Sequence, residues 1–308
     1  MAGKQAYRLF DITLVKRTQV SASLVRLTFT GPLVHQMDTY APDQRIKLFF
    51  SRPGATLDEL LALAEPSAKD WYGAYLALPD ATRPFMRTYT IRALRREQSE
   101  VDVEFVLHGD SGPASRWAMT ACPGDRLAMV APVFGAPPPH LGFEWKPPRG
   151  VKRVLLIADE TAVPAVAGIL EALEQQSNPV EVEALLEVPC HDDAQALSSQ
   201  ARLCWLARDT GARDHGELLL DALRQITLPS GIATPAALEA PGDIDDRDPG
   251  DEPFWEPADA DDSAPFYAWI AAETKVAMRL RRYLVKERGL PKRYVASMGY
   301  WRLGKAST

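Results

Sequence analysis

Hydrophobic and polar positions change rhythm once along the chain. Over the first third, short runs alternate apolar with polar side chains, the period of a strand with one buried face. Tyr7–Lys16, Leu24–Thr30, Arg45–Phe50, Arg87–Leu94, Val101–Leu107 and Arg126–Ala131 have this character. Turn-forming clusters such as Gly31-Pro32, Pro53-Gly54 and Pro123-Gly124-Asp125 separate them. Six such strands predict a small antiparallel barrel. Thr56–Ala77 is more helical and reads as an excursion between strands.

Two proline-rich stretches follow, Ala136–Pro139 and Lys146–Gly150, and mark a linker. The spacing predicts domains over 1–145 and 146–308. Beyond the linker, Arg153–Ala158 is a continuous apolar run of the kind buried on both faces. Asp159–Gln176 reads as a turn and helix, Val180–Val188 and Leu203–Ala207 as strands, and His215–Ile226 as a helix. Phe266–Ala272 is again apolar, followed by a helix over Lys275–Arg288 and a last strand near Tyr294–Trp301. Strands alternating with helices predict a parallel sheet covered on both faces. The acidic, proline-rich segment 229–265 fits neither pattern and reads as a surface insertion.

Composition narrows the chemistry. The 308 residues are 46% hydrophobic and 25% charged, as in a soluble globular protein. No apolar run is long enough to span a membrane, and the N-terminus lacks a secretory pattern. These features predict a cytoplasmic protein with no stable membrane association. A formal net charge of −6 disfavours nucleic acid as a partner. Three scattered cysteines, Cys122, Cys190 and Cys204, are too few for a disulfide framework or an iron–sulfur cluster. The histidines have no metal-ligand spacing, so no protein-bound metal is expected. A monomer is the expected state.

Three motifs carry candidate chemistry. Arg87-Thr88-Tyr89-Thr90 lies on a predicted strand, which puts Arg87 and Tyr89 on one face. A guanidinium suits a phosphate oxygen and a tyrosine ring can stack on a flavin. The same residues are also ordinary on an exposed strand. The second motif runs His108-Gly109-Asp110-Ser111-Gly112-Pro113-Ala114-Ser115-Arg116-Trp117-Ala118. It places Pro113 in the first turn of a helix, with Gly112 before it. The amides of Ala114 and Ser115 and the Ser115 hydroxyl then face an anion, or simply cap a helix. The third, Asp159-Glu160-Thr161-Ala162-Val163-Pro164-Ala165, follows the buried strand where nucleotides commonly sit. It is no glycine-rich dinucleotide loop, and Asp159 or Thr161 could equally be a helix cap.

Taken together these motifs, with Gly299–Lys305 (GYWRLGK), make the chain resemble the siderophore-interacting proteins, flavin-dependent ferric-siderophore reductases of the ferredoxin-reductase superfamily. The resemblance spans nearly the whole chain, with the motifs in the family's order. It implies a β barrel plus an α/β domain: a six-stranded antiparallel Greek-key barrel binding FAD, then a Rossmann-like parallel-sheet domain binding NADH or NADPH. It implies that Arg87, Thr88, Tyr89 and Thr90 hold flavin phosphate and ring. It carries His108, Asp110, Gly112, Pro113, Ala114 and Ser115 to the flavin phosphate and adenosine, and Asp159, Glu160 and Thr161 to the nicotinamide. Trp301 and Arg302 fall on the C-terminal signature near the flavin.

One further pattern concerns the substrate. Lys275, Arg279, Arg282 and Lys286 share a helical face whose opposite side is Val276, Leu280, Tyr283 and Leu284. Such a stripe attracts an anionic ferric siderophore, although charge runs are usually just solvated faces. It suits an acidic ferredoxin as well, so a reductase with another acceptor is the nearest rival, and a non-catalytic siderophore-binding protein the next. No side chain need act as acid, base or nucleophile. The choice between NADH and NADPH stays open: Arg202 and Arg208 are candidates to meet a 2′-phosphate.

Overall fold

A computed structural model describes residues 6–62, 71–109, 112–137, 142–197, 200–211, 213–232 and 254–304. The chain divides into two units, the first running to Phe143 and the second beginning at Glu144.

The first unit is a curled antiparallel sheet of seven strands: β1 Tyr7–Gln19, β2 Leu24–Thr30, β3 Arg45–Phe50, β4 Phe85–Thr90, β5 Ala93–Arg95, β6 Glu100–Val106 and β7 Arg126–Pro132. Their order is β4-β3-β7-β1-β2-β6-β5. Seven strands replace the expected six because the run Arg87–Leu94 is broken at Ile91 and Arg92. Ile91 donates its amide to Gln44 beside β3, and Arg92 donates to Asp102 on β6. The chain thus leaves one outer strand and joins the other. Two residues span only about 10 Å at most, so the sheet must curl until its edges meet. The Tyr89 and Phe105 rings, on β4 and β6, lie 4.3 Å apart between centroids.

The interior of this curl is apolar. Phe10, Ile12, Leu27, Phe29, Leu48, Val103 and Phe105 are wholly buried. Asp102 and Glu104 on β6 are buried as well, which strict alternation does not predict. Asp102 accepts from both Arg95 terminal nitrogens at 2.7 Å and from the Thr28 hydroxyl at 2.8 Å, and Glu104 accepts from Arg26. Buried charge is tolerated where it is paired and hydrogen-bonded. The predicted helical excursion contains α1 Asp58–Leu61 and α2 Trp71–Ala77, and α3 Pro113–Thr120 follows β6.

The second unit is a six-stranded sheet: β8 Arg153–Asp159, β9 Glu181–Val188, β10 Arg202–Ala207, β11 Trp255–Glu256, β12 Phe266–Glu273 and β13 Val295–Trp301. The order is β10-β9-β8-β12-β13-β11. All neighbours are parallel except β11, which lies antiparallel to β13 and makes the sheet mixed. This two-residue strand falls inside the segment read as an insertion, whose middle lies outside the described residues. The continuous apolar strands are explained by helices on both faces. Val154, Leu156 and Trp269 pack with α4 Val163–Glu174. Leu155, Ile157 and Ile270 pack with α5 Glu217–Gln225 and α6 Thr274–Arg282. Among the described residues no helix is long and apolar enough to cross a membrane.

Candidate functional site

Each unit carries part of the candidate chemistry. In the first, β4 pairs Tyr89 with Ile46, Arg87 with Leu48, Thr88 with Lys47 and Thr90 with Arg45. Partners across a ladder share a face. Arg87 and Tyr89 therefore lie together, as the alternation requires, with Thr88 and Thr90 on the other side. Burial pushes the Tyr89 phenol up, with Arg87 opposing, so it stays neutral. The Arg87 guanidinium is half-buried and donates to the Met86 carbonyl at 2.8 Å. Burial pulls its pKa down, and no carboxylate among the described residues pairs with it. A desolvated cation without a counter-ion is what an anionic ligand would complete. Lys47, which the sequence did not single out, donates to the Thr88 hydroxyl at 2.6 Å, and burial lowers its pKa too.

The helix α3 is fixed beside this face by Trp117, whose ring meets Phe50, Phe105 and Phe29. Gly112 is the N-cap and Pro113 opens the first turn, as expected. The Ser115 hydroxyl differs from expectation: it donates to the Gly109 carbonyl at 2.8 Å and accepts from the His108 amide at 3.0 Å. It locks the turn, which leaves backbone amides to face an anion. His108 is exposed. Asp110 and Ser111 lie outside the described residues.

In the second unit, carboxylates end the buried strands and converge. Asp159 closes β8 with no exposed surface. It accepts from the Thr161 amide and hydroxyl, the Glu273 amide at 2.7 Å and the Trp301 indole at 2.8 Å. His215 lies 3.3 Å away and meets Trp301 edge to face. Burial opposes ionisation of Asp159, but His215 and the other donors prevail and hold its carboxyl below the usual range. Burial also opposes the His215 cation; the Asp159 carboxylate outweighs it and raises the imidazole pKa. Glu160 is held by both terminal nitrogens of Arg208, at 2.7 and 2.9 Å. Its own pKa is raised, by burial first and by Asp159 second. Arg208 also reaches Glu187 at 3.2 Å, and Glu187 accepts the Gly216 amide at 2.8 Å. Glu273 caps α6 through the amides of Lys275 and Val276 and accepts the Leu303 amide.

This cluster is more committed than the sequence implied. Asp159 and Glu160 turn inward, while Thr161, Trp301 and Arg302 are part-exposed. Asp159, Glu160 and His215 approach within 4.8 Å, close enough for a metal, yet each already has the protein partners just named. Their charges are balanced by Arg208 and His215. The signal that marks the cluster in retrospect is an acid at the end of an apolar strand, in Leu156–Asp159, Leu185–Glu187 and Ile270–Glu273.

The basic stripe is present in part. Lys275, Arg279 and Arg282 are exposed on α6, with Val276, Leu280, Tyr283 and Leu284 buried opposite. After Arg282 the helix widens into a π turn over Tyr283–Glu287, which moves Lys286 off that line to a half-buried position. Arg281, on the same helix, is buried and donates to the Val295 carbonyl at 2.9 Å.

Comparison with known proteins returns two families. A siderophore-interacting FAD-binding domain matches residues 13–136, and a siderophore-interacting protein family matches residues 151–304. The chain is 25% identical over 301 residues to ferric vibriobactin reductase ViuB of Vibrio cholerae, covering 97% of this chain and 90% of that one. It is 27% identical over 299 residues to an NADPH-dependent ferric-chelate reductase of Escherichia coli, covering 96% and 93%. Among solved structures, the siderophore-interacting protein SipS of Aeromonas hydrophila superposes with a TM-score of 0.65 at 26% identity, covering 98% and 93%.

Proposed function

The chain belongs to the siderophore-interacting protein family, and from that membership we propose that it is an FAD-dependent ferric-siderophore reductase driven by NADH or NADPH. The observation that carries this reading is the order of the two family matches, flavin domain first, over a chain with full-length likeness to two ferric reductases.

The residues of the first unit fit a flavin. Arg87, part-buried with no carboxylate partner among the described residues, would hold a phosphate, and the amides of Gly112, Ala114 and Ser115, after the Pro113 turn, would assist. Tyr89, kept neutral by burial, would stack on the ring, while Thr88 and Thr90 offer polar atoms on the opposite face. His108 would lie toward the adenosine side, and the motif assigns Asp110 the same role. Bound flavin supplies acceptance of a hydride and release of its electrons one at a time.

The second unit would take the nucleotide at the carboxyl ends of its parallel strands, as a Rossmann-like half-fold does, a reading that the order β10-β9-β8-β12-β13 supports. Thr161 and Trp301 would border the nicotinamide, with Arg302 beside them. Asp159 and Glu160 would act from below, the first fixing the Trp301 indole and the second fixing Arg208. Lys275, Arg279 and Arg282, with Lys286 at their margin, would draw in the anionic ferric chelate. Siderophore oxygens are hard donors that hold Fe(III) far better than Fe(II), so reduction frees the metal.

The test is a comparison of acceptors. Purified protein loaded with FAD and reduced by nucleotide should turn over ferric siderophores faster than a ferredoxin. The reverse order would favour a ferredoxin-type reductase, and failure to bind FAD at all would favour a non-catalytic binding protein.

A further inference from the structure

Where an open parallel sheet reverses its direction of growth, the chains leaving two neighbouring strands part to opposite sides. The crevice this leaves at their carboxyl ends is where such sheets bind ligands. Here the reversal falls between β8 and β12: the chain grows outward from β8 to β9 and β10, then returns to the other side of β8. Asp159 and Glu273 are the last residues of the two strands, and the Asp159 carboxylate bridges them by accepting the Glu273 amide at 2.7 Å. Trp301 ends β13 beside them and donates its indole to the same carboxylate oxygen at 2.8 Å.

His215 completes this arrangement, although no spacing in the sequence marks it. Gly216, which follows it, is pinned by Glu187 of β9, which accepts its amide at 2.8 Å, and by Val276 of α6, packed against its Cα. The imidazole is thereby delivered between Asp159 and Trp301. It lies 3.3 Å from the carboxylate and edge to face with the indole, at 5.1 Å and 85°. It keeps 16% of its side chain exposed, against none for Asp159. The charged groups around it are Glu160 after β8, Glu187 on β9, Arg208 after β10 and Glu273 on β12, with Asp214 and Glu217 on its own segment. Arg208 is committed to Glu160 and Glu187, so the cation that faces Asp159 is His215. Burial resists the imidazole's proton, Asp159 and Glu160 favour it more strongly, and Arg208 opposes them; the net direction is upward from the ordinary value.

We propose that His215 is a positioning residue for nucleotide oxidation: its protonated ring, paired with Asp159 and packed on the indole, holds Trp301 in one orientation at the crevice and releases it when the proton leaves. The inference rests on the reductase reading and deepens it. An imidazolium gains both the ion pair and the attraction of a cation to an aromatic ring. Loss of the proton to solvent removes both, and leaves a neutral ring on one long hydrogen bond with an open side.

The test uses the full chain with FAD bound. The indole N–H resonance of Trp301, assigned by its loss in Trp301→Phe, should shift once across a pH series, with a midpoint above about 6.5. The shift should be absent in His215→Gln, and Asp159→Asn should lower its midpoint. In anaerobic flavin reduction, KM for the nucleotide should rise at least about threefold through the same midpoint, with kcat moved less. His215→Gln should hold KM at its alkaline value throughout. An indole resonance without a midpoint, the same midpoint in His215→Gln, or a flat KM would overturn the positioning role and leave the reductase reading standing. Failure of both NADH and NADPH to reduce bound FAD would overturn that reading, and the role in nucleotide oxidation with it.

Discussion

Replacing Arg208 by methionine removes the guanidinium that joins Glu160 to Glu187. Both carboxylates are nearly solvent-free, with side-chain exposures of 5% and 0%. Methionine fills similar volume, so the effect isolates charge from cavity. Glu187 keeps the amides of Gly216 and Leu219, whereas the positive charge left to offset Glu160 is that of His215. Breaking a buried pair by removing one partner costs about 3–5 kcal/mol. For a unit of this size that corresponds to a melting-temperature drop of about 6–20 °C. Urea unfolding at neutral pH, followed by the fluorescence of Trp205, Trp269 and Trp301, measures the loss. The double variant Arg208→Met with Glu160→Gln should regain about 1–2 kcal/mol, because one stranded charge is gone. Lowering the pH should shrink the single variant's deficit, since Glu160 can then take a proton. A loss below about 1 kcal/mol, the range of an exposed pair, would refute the claim that these charges depend on Arg208.

Further outcomes follow from other sites. Because His215 has a folded pKa above its unfolded value, its pairing with Asp159 stabilises fully below about pH 6.5, and the contribution is lost as pH rises through the folded pKa. His215→Gln should flatten that decline in a pH series of denaturation midpoints. Arg87→Ala should weaken FAD binding by about tenfold or more, read by flavin titration, through loss of a charge-assisted phosphate contact. At Gly216, φ is +80° and an added Cβ would lie 2.4 Å from both Val276 methyl groups. Gly216→Ala should therefore cost at least about 2 kcal/mol in thermal denaturation.

Much of the architecture is legible locally. The apolar run Arg153–Ala158 and the alternation of β1 to β3 needed no tertiary information. β5 was hidden because three residues have no readable period, and because it forms the opposite edge of the sheet from β4, paired to β6. The Arg87–Thr90 strand and the helix start at Pro113 were legible as motifs, yet the sequence could not show the Ser115 hydroxyl turned onto Gly109. The strand-end cluster was the least accessible part. Trp301 meets Asp159 across 142 residues and Arg208 meets Glu160 across 48, and no local pattern encodes such pairings. Arg281 makes the same point: within a run of basic residues, burial alone distinguishes it from Arg282.

The central claim is that electrons pass from nucleotide through bound flavin to chelated iron. Stopped-flow mixing of anaerobic, NADH-reduced protein with a ferric siderophore, in the presence of an Fe(II) trap, tests it most directly. The account predicts flavin reoxidation in step with about two trapped Fe(II) per reduced flavin. Reduced flavin that persists after the siderophore is added, with no Fe(II) trapped, would contradict it.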